Sequence, residues 1–300
     1  MTASIGGLAA FWIWEGWHSR RPPTGRRGSH AAVNLALSLL NTVWLALLFG
    51  TVTVRFCEWA AERQWGLLRL WPLPSLAQWI LAVLLLDFAL YLWHRANHVM
   101  PLLWRFHRVH HADEAMDVTT ATRFHPGEQL FSSLLRLGLS PLLGVSAGQI
   151  LLHELLIVIV TQFHHANLDL GRADRWLRWL IVTPGMHGVH HSPDRAWTNS
   201  NYASVLSIWD RLCGTWTTPV VPSGEVTGLR EFQSPRWQSL FGLLRMPWYN
   251  VPPSDTFSQP ISTCEPVARK MDAGTITLEA GQHQTESDPP GGEEVKATHR

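Results

Sequence analysis

Charged residues are unevenly spread along the chain, and three long stretches are almost free of them. Residues 32–54 contain no charge, residues 73–93 contain only Asp87, and residues 129–164 are again largely apolar. About 20 apolar residues in a helix cross the roughly 30 Å hydrocarbon layer of a bilayer. The first two stretches are therefore predicted to be transmembrane helices.

The third stretch is short for two full crossings, and Pro141, Gly144 and Gly148 interrupt it. This pattern predicts a helical hairpin or a re-entrant pair. It contains the adjacent ionisable residues His153 and Glu154, which we expect to satisfy each other inside the hairpin.

The segments around these stretches complete the prediction. Residues 5–17 are apolar and rich in tryptophan, which predicts an interfacial helix, and residues 172–180 are interpreted in the same way. Residues 55–69 are amphipathic. The predicted domains are an N-terminal interfacial segment with a basic loop (1–31), a membrane-embedded catalytic domain (32–217), a C-terminal extension (218–249) and a disordered polar tail (250–300).

The predicted fold is thus an all-α integral membrane protein with about four transmembrane or re-entrant helices and a cytoplasmic helical cap. The composition agrees, since 46% of residues are hydrophobic and only 16% are charged, against about 25% charged in soluble domains. Seventeen tryptophans suit a membrane interface. The net charge of +1 argues against a nucleic-acid partner, and three scattered cysteines argue against a thiolate zinc site.

Arginines indicate the orientation in the membrane. Arg20, Arg21, Arg26 and Arg27 precede the first span, and another group, Arg95 to Arg123, follows the second, so both loops are predicted to be cytoplasmic. The following apolar pair returns to the same side, which brings all histidine clusters to the cytoplasmic face. Only two of the 24 basic residues are lysine, a bias that favours a bacterial source and hence the inner membrane.

Histidines are the unusual chemistry of the chain. Twelve of the sixteen lie between His94 and His191, and eight of them form three clusters. The clusters are His94-x-x-x-His98, His107-x-x-His110-His111 and His187-x-x-His190-His191. Spacings of three and four residues place side chains on one helix face. Asp87 lies seven residues before His94, where its carboxylate is expected to accept a ring N–H of a ligand histidine.

So many imidazoles near a bilayer are costly unless something binds them. Nitrogen donors suit iron, zinc, copper or nickel better than magnesium or calcium. Eight nitrogens exceed what one ion with open positions needs, so the clusters predict two metal ions.

The ordered motifs around these clusters resemble the fatty acid hydroxylase / sterol desaturase superfamily of membrane-bound, histidine-rich di-iron oxygenases. The resemblance covers residues 10–217 and rests on these elements: Asp87-x-x-x-Tyr91-x-x-His94-x-x-x-His98, Leu103-Trp-Arg-Phe-His107-x-x-His110-His111, Arg123-Phe-His125-Pro-Gly-Glu128, His165-Ala-Asn167, Thr183-Pro-Gly-Met-His187-Gly-Val-His190-His191-Ser192, Asn201-Tyr202 and Trp209-Asp-Arg211. Gly188, Ala203 and Cys213 depart from the usual pattern, which bears on substrate preference rather than on the ligands.

The resemblance implies an O2-dependent oxidoreductase that hydroxylates a C–H bond of a lipid, whether sterol, fatty acyl, sphingoid or carotenoid-like. It implies two iron ions (zinc in isolated protein is an alternative), O2 as co-substrate and electrons from a separate reductase. The implied ligands are His94, His98, His107, His110, His111, His165, His187, His190 and His191. Further candidates, as ligands or as supports of the ligands, are His125, His164, Asp87, Asn167 and Asn201.

Other functions remain alternatives. A lipid desaturase, similar to C-5 sterol desaturases, would use the same site, and a non-catalytic membrane metal-binding protein would use the same ligands. A b-haem carrier needs mid-span histidines rather than adjacent pairs. A zinc protease needs His-Glu-x-x-His, but Ile157 stands where the second histidine would follow His153-Glu154.

Overall fold

The computed structural model describes residues 2–22, 26–217 and 227–250, and that part of the chain is helical. Its extended pairing is limited to two isolated bridges, Ser19 with Leu168 and Ile181 with Leu206. The predicted all-α class is confirmed. The predicted disordered tail, apart from Asn250, lies outside the described residues, as do residues 218–226, the start of the C-terminal extension.

Eleven α-helices are present in the described part of the chain. They are α1 (Thr2–Trp17), α2 (Arg27–Glu62), α3 (Ser75–Val99), α4 (Pro101–His111), α5 (Pro126–Leu143), α6 (Ala147–His165), α7 (Arg172–Leu177), α8 (Pro184–His190), α9 (Arg195–Thr198), α10 (Ile208–Leu212) and α11 (Leu240–Arg245). Short 3-10 turns occur at Leu67–Arg69, Val118–Thr122, Arg230–Phe232, Pro235–Gln238 and Met246–Trp248.

Within the residues that the structure describes, three segments are long and apolar enough to cross a membrane: Arg27–Arg69, Ser75–Val99 and Ala147–His165. They expose large apolar side chains, such as Leu47 at 78%, Leu76 at 73% and Leu151 at 69%. Contiguous exposed apolar surface of this kind is typical of lipid contact. The predicted membrane association therefore has a direct structural counterpart in α2, α3 and α6.

Helix α2 is longer than its apolar stretch predicts. It begins at Arg27 and continues to Glu62 without a break, so it joins the predicted span to much of the amphipathic segment that follows. No proline interrupts these residues, and a helix can continue through an amphipathic stretch once it has formed. At 1.5 Å per residue the helix is about 54 Å long and must extend beyond the hydrocarbon layer.

The predicted pair of helices in the third apolar stretch is α5 and α6. Gly144 ends α5 in the left-handed conformation, with φ at 72°, and Ser146 caps α6. A Cβ atom on Gly66 would lie 2.2 Å from the Cα of Gly144, so the backbones meet where only glycine fits. This contact joins the turn between α5 and α6 to the turn that follows α2.

The expected interaction between His153 and Glu154 is wrong. Glu154 pairs instead with Arg136 on α5, at 2.8 Å, and His153 Nε2 has no hydrogen-bond partner among the described residues. Neighbouring residues on a helix point about 100° apart, so their side chains do not face each other.

The N-terminal helix packs on the end of α6. Phe11 contacts Phe163 with ring centroids 5.9 Å apart. Glu15 is buried and accepts hydrogen bonds from the backbone N–H groups of Val118 (2.8 Å) and Asn167 (2.6 Å), and it also contacts Arg27. Burial raises the pKa of Glu15 to about 7, and the nearby Asp117 acts in the same direction. Helix α1 thereby holds the chain that leaves α6.

Residues 227–250 cover α4 and the start of α2. Their apolar side chains form one cluster with those helices: Leu37, Val109, Ala112, Phe232, Trp237, Leu243 and Met246. Arg123 is fully buried beside the cluster and donates to Val109 O (3.0 Å), Asn34 Oδ1 (3.2 Å) and Gln238 Oε1 (2.7 Å). One guanidinium therefore ties α2, α4 and the C-terminal extension together.

Candidate metal centre

Four helices direct histidines into one buried space. His94 and His98 come from α3, and His165 ends α6. Helix α4 begins at Pro101, directly after the extended Met100, so the chain turns back and places its own histidines against those of α3. Thr183 caps α8 by accepting from Met186 N, with Pro184 at its first position. Pro101 and the Thr183 cap thus set where α4 and α8, the two helices that carry the HxxHH segments, begin.

The histidines form two compact groups, and within each group the nearest ring nitrogens all lie within 4.8 Å of one another. Group 1 consists of His94, His98, His107, His111 and His190, and group 2 consists of His110, His165, His187 and His191. All nine rings are buried. The structure therefore brings together all nine histidines that the sequence motifs single out as ligands.

Each HxxHH segment contributes to both groups. On α4, His107 and His111 belong to group 1 while His110 belongs to group 2. On α8 the assignment is reversed, since His190 belongs to group 1. Four residues advance 40° beyond a full helical turn and three residues fall 60° short, so the second histidine of each segment, at the i+3 position, points to a different side from the first and third. Two such helices facing each other produce two sites side by side.

Hydrogen bonds on the outer nitrogens determine the tautomers of three histidines in group 1. His94 Nδ1 lies 2.7 Å from Tyr202 O, and His190 Nδ1 lies 2.7 Å from Ser200 O. Because a carbonyl oxygen only accepts, each Nδ1 must carry the proton. His107 Nδ1 lies 2.7 Å from Glu128 Oε1, which imposes the same tautomer. In a neutral imidazole the remaining nitrogen, Nε2, then presents a lone pair.

These lone pairs converge. His94 Nε2 lies 3.0 Å from His190 Nε2 and 3.1 Å from His107 Nε2. Three acceptor atoms at this distance have no proton to share and repel one another. A cation among them removes the repulsion, and nitrogens that each lie about 2.1 Å from one ion are separated by about 3 Å at right angles. The donor set of group 1 therefore fits a transition-metal ion.

In group 2 one ring is fixed by a hydrogen bond in the same way. His165 Nδ1 donates to Thr161 O at 2.8 Å, which leaves the lone pair on Nε2. That nitrogen lies 3.0 Å from His110 Nε2 and 3.0 Å from His187 Nε2. His191 Nε2 lies 3.2 Å from His187 Nε2. The second group thus offers four nitrogens to a second ion.

Burial keeps these rings uncharged. It lowers the pKa of His190 to about 3 and those of His110, His111, His187 and His191 well below their ordinary value, and the neighbouring imidazoles add to the effect. Metal binding requires neutral imidazole. Burial therefore favours, in these five rings, the protonation state that a ligand needs at neutral pH.

The two remaining candidate histidines, His125 and His164, lie outside both groups. His125 caps α5 by accepting from Gly127 N at 2.9 Å, and its Nε2 contacts Leu244 O at 3.2 Å, so both ring nitrogens are already used. His164 is buried, and its ring centroid lies 4.0 Å from that of His187. His164 therefore packs on the histidine groups, and His125 joins α5 to the C-terminal extension.

Asp87 does not accept from a histidine ring, in contrast to the expectation from its helical spacing. Its Oδ2 accepts from Leu206 N (3.0 Å) and from Trp209 Nε1 (2.8 Å), while Tyr202 O occupies the outer nitrogen of His94. Asp87 and His94 lie on the same face of α3, but residues 202–209 pack on that face and supply the hydrogen-bond partners of both side chains. The carboxylate holds this segment in place.

The two asparagine candidates are also structural supports. Asn167 Oδ1 accepts from Arg21 N at 3.0 Å, away from both groups. Asn201 adopts a φ of 54° and donates to Met186 O at 3.1 Å, next to His187. Asn201 therefore fixes α8 from outside rather than reaching an ion.

Two carboxylates support the site without having been predicted as site residues. Glu128 accepts from His107, and Asp210 accepts from Tyr202 N (2.7 Å) and Ala203 N (3.0 Å), which positions the carbonyl that binds His94. Both carboxylates occur inside the quoted motifs, which is the only signal that the sequence offers. The carbonyls of Ser200 and Tyr202 have no sequence signal, because every residue has one.

Comparison with known proteins gives a family and a set of relatives. The model of the fatty acid hydroxylase family matches residues 79–215. An ornithine lipid hydroxylase of Rhizobium tropici is 34% identical over 53% of this chain and 48% of its own length. An alkylglycerol monooxygenase of Xenopus tropicalis is 33% identical over 51% of this chain and 34% of its own length. Human cholesterol 25-hydroxylase is 30% identical over 48% of this chain and 53% of its own length.

The chain therefore spans about half or less of the length of these relatives. The matched family region contains every histidine of groups 1 and 2. No solved structure matches the chain.

Proposed function

Because its histidine-bearing region, residues 79–215, belongs to the fatty acid hydroxylase family, we propose that this chain is a membrane-bound oxidoreductase that hydroxylates a C–H bond of a lipid. The observation that carries the proposal is the convergence of Nε2 lone pairs in two adjacent groups. An all-nitrogen donor set of this size suits redox-active iron.

Two iron ions would be held by the nine histidines, one ion in each group. Bound iron would supply the activation of O2, which amino-acid side chains cannot perform. Electrons would come from a separate reductase, since the sequence contains no dinucleotide-binding fingerprint, haem-attachment motif or ferredoxin-like cysteine run. If the isolated protein contained zinc, we would interpret it as zinc that has replaced iron at the same histidines.

The protein's own task is to hold the ligands rigid and dry. Tyr202 O, Ser200 O and Thr161 O fix three rings through their Nδ1 atoms, and Glu128 fixes a fourth. A ring held in this way keeps its tautomer and its direction when ligands exchange. Burial of all nine rings excludes bulk water, which protects a reactive oxidant from side reactions.

A lipid substrate agrees with the relatives and with the membrane spans. The relatives are named for ornithine lipid, alkylglycerol and cholesterol chemistry, and each name describes a hydroxylase or a monooxygenase. These names favour hydroxylation over desaturation, which would use the same site. The substrate would reach the histidines from the bilayer along α3 and α6, which both run towards the site.

We further propose that the histidine groups face the cytoplasm. The arginines before the first span (Arg20 to Arg27) and after the second span (Arg95 to Arg123) support this orientation through the positive-inside rule. A relative from Rhizobium tropici supports a bacterial inner membrane.

The proposal is tested by counting metals and following oxygen. Protein purified in detergent and loaded with ferrous iron should contain two irons per chain, with a Mössbauer signature of coupled non-haem iron. Membranes supplied with ¹⁸O2 and a reductase should incorporate label into a lipid, which lipid mass spectrometry would identify. Zinc that cannot be replaced by iron with gain of activity would refute the oxygenase and favour a non-catalytic metal-binding protein.

A further inference from the structure

A cleft lies between α3, α5 and α6, next to the histidine groups but separate from them. Its lining is mostly apolar: Leu86, Ala89, Leu90, Trp93, Leu135, Leu139, Ile150 and Ile157. Its enclosed volume is only about 40 Å³, so the cleft is mainly an open groove on the surface of these helices. Because α3 and α6 are candidate membrane spans, the cleft opens at the level of the lipid chains.

Four polar side chains interrupt this apolar lining, and three of them, Arg136, His153 and Glu154, are ionisable; the fourth is Ser132. Arg136 Nη1 lies 2.8 Å from Glu154 Oε1. His153 is only 5% exposed, and its Nε2 has no hydrogen-bond partner among the described residues. Arg136 and Glu154 thus pair with each other, whereas the buried His153 nitrogen has no partner among the described residues. A polar atom buried in this way is costly unless something binds it, which points to a ligand beside His153.

The polar side chains lie at a fixed distance from the histidines. Arg136 follows Glu128, which contacts His107, by eight residues on α5, or about 12 Å along the helix axis. Glu154 precedes His165 by eleven residues on α6, or about 16 Å. Trp93, at the other end of the cleft, is the neighbour of His94. The cleft therefore extends from the polar side chains towards the end of α3 that carries His94 and His98.

Charge decides which end group fits. Arg136 and Glu154 balance each other, so with a neutral His153 the three side chains carry no net charge. A phosphate or carboxylate would find no free positive charge there and would lose its hydration. A hydroxyl can accept from Arg136 and donate to Glu154 or His153, which uses the bonding capacity that is left over.

We propose that Arg136, His153 and Glu154 bind the uncharged hydroxyl end of the lipid substrate, about 12 to 16 Å from the carbon that is oxidised. This inference rests on the proposed function for its oxidised carbon, but the binding itself does not require turnover. The substrate is thus a lipid alcohol with a long apolar body, and its hydroxyl lies deep in the bilayer rather than at the headgroup surface.

The test measures binding in the iron-loaded full chain reconstituted in lipid nanodiscs. The probes are a long-chain primary alcohol, the alkane and the fatty acid of the same chain, each with one photoreactive diazirine. Peptide mass spectrometry measures capture on α3, α5 and α6. The wild type should capture the alcohol about tenfold more than the alkane, as expected for one hydrogen bond in an apolar site.

Variants of the polar side chains should change the preference for the alcohol in predictable directions. His153→Leu should remove the preference for the alcohol, and the conservative His153→Gln should retain much of it. Glu154→Gln leaves Arg136 without its counter-charge and should increase capture of the fatty acid. Thr42→Val is the matched control, because the Thr42 hydroxyl bonds to Ser38 O of its own helix and lies outside the cleft.

Equal capture of alcohol and alkane by the wild type would overturn the proposal, as would a preference that survives His153→Leu. The wild-type comparison decides the matter even where a variant does not insert. A preference for the alcohol without any O2-dependent oxidation would refute the proposed function and leave the subsite intact. Oxidation without the preference would do the opposite.

Discussion

His94 and His190 direct their Nε2 atoms at each other across 3.0 Å, although each ring donates its only proton to a backbone carbonyl behind it. Two acceptors in such proximity make no hydrogen bond. The arrangement stores repulsion that a cation relieves, and residues 96 positions apart in the chain create it together. The proton positions therefore leave lone pairs directed at one point, where a cation could bind.

The first prediction concerns this arrangement. His107→Ala should lose metal and lipid oxidation together, because His107 Nε2 contacts both His94 and His111 in group 1. Membrane insertion should persist, since α4 keeps its packing against the C-terminal extension. Iron content per chain and oxidised lipid are measured in parallel. His18→Ala, at an exposed position, is the control and should retain both.

A His107→Ala variant that keeps full turnover would contradict the assignment of group 1. His190→Ala offers an independent check from α8 and should give the same result, because it removes the partner of His94 from the other side.

The second prediction concerns Glu128. Glu128→Gln replaces a carboxylate that accepts from His107 Nδ1 with an amide that accepts more weakly, so the ring is less firmly oriented. Loss of such a partner weakens metal affinity by about 10- to 100-fold. Competition with a chelator measures this affinity, and Glu58→Gln on the exposed side of α2 is the matched control. Unchanged affinity would show that the ring is held by packing alone.

The third prediction concerns Asp210. Its carboxylate holds Tyr202 N and Ala203 N, and Tyr202 O in turn holds His94. Asp210→Asn turns one acceptor into a donor that faces an N–H group, at a cost of about 1–3 kcal/mol. We expect a lower melting temperature and weaker metal binding in the same variant. Asp169→Asn, at an exposed turn, should change neither quantity.

Much of the fold and site follows from the sequence, for identifiable reasons. Stretches with little or no charge predict the positions of α2, α3 and α6, because a membrane span requires an apolar composition. Histidine spacing reveals the ligand candidates, because helical geometry places residues three and four apart on neighbouring faces. The division of each HxxHH segment between two groups does not follow from one helix, since it depends on where the facing helix lies.

The errors share one physical cause. Asp87 and Glu154 each bind a partner from another part of the chain, Trp209 and Arg136. Sequence reasoning assigned them to histidines nearby on the same helix. Polar groups in a membrane domain take whichever partner the tertiary fold brings, and sequence proximity is a weak guide to that choice.

The fourth prediction concerns pH. Burial raises the pKa of Glu15 from 4.5 to about 7, so between these values the folded chain holds a proton that the unfolded chain has released. Stability therefore falls as pH rises through this window, by on the order of 3 kcal/mol when the shift is fully expressed. Asp117 acts in the same direction as burial, and Arg27 opposes it. Glu15→Gln removes this contribution.

The melting temperature of the wild type relative to Glu15→Gln should therefore be highest near pH 5 and should decline towards pH 8. Thermal melts of both proteins in nanodiscs at several pH values provide the measurement, with the exposed Glu58→Gln as a variant that should track the wild type. The N–H groups of Val118 and Asn167 favour the ionised form of Glu15, so their hydrogen bonds should persist above pH 7. A wild type that gains stability over Glu15→Gln as pH rises would show that Arg27 and the two N–H groups outweigh burial.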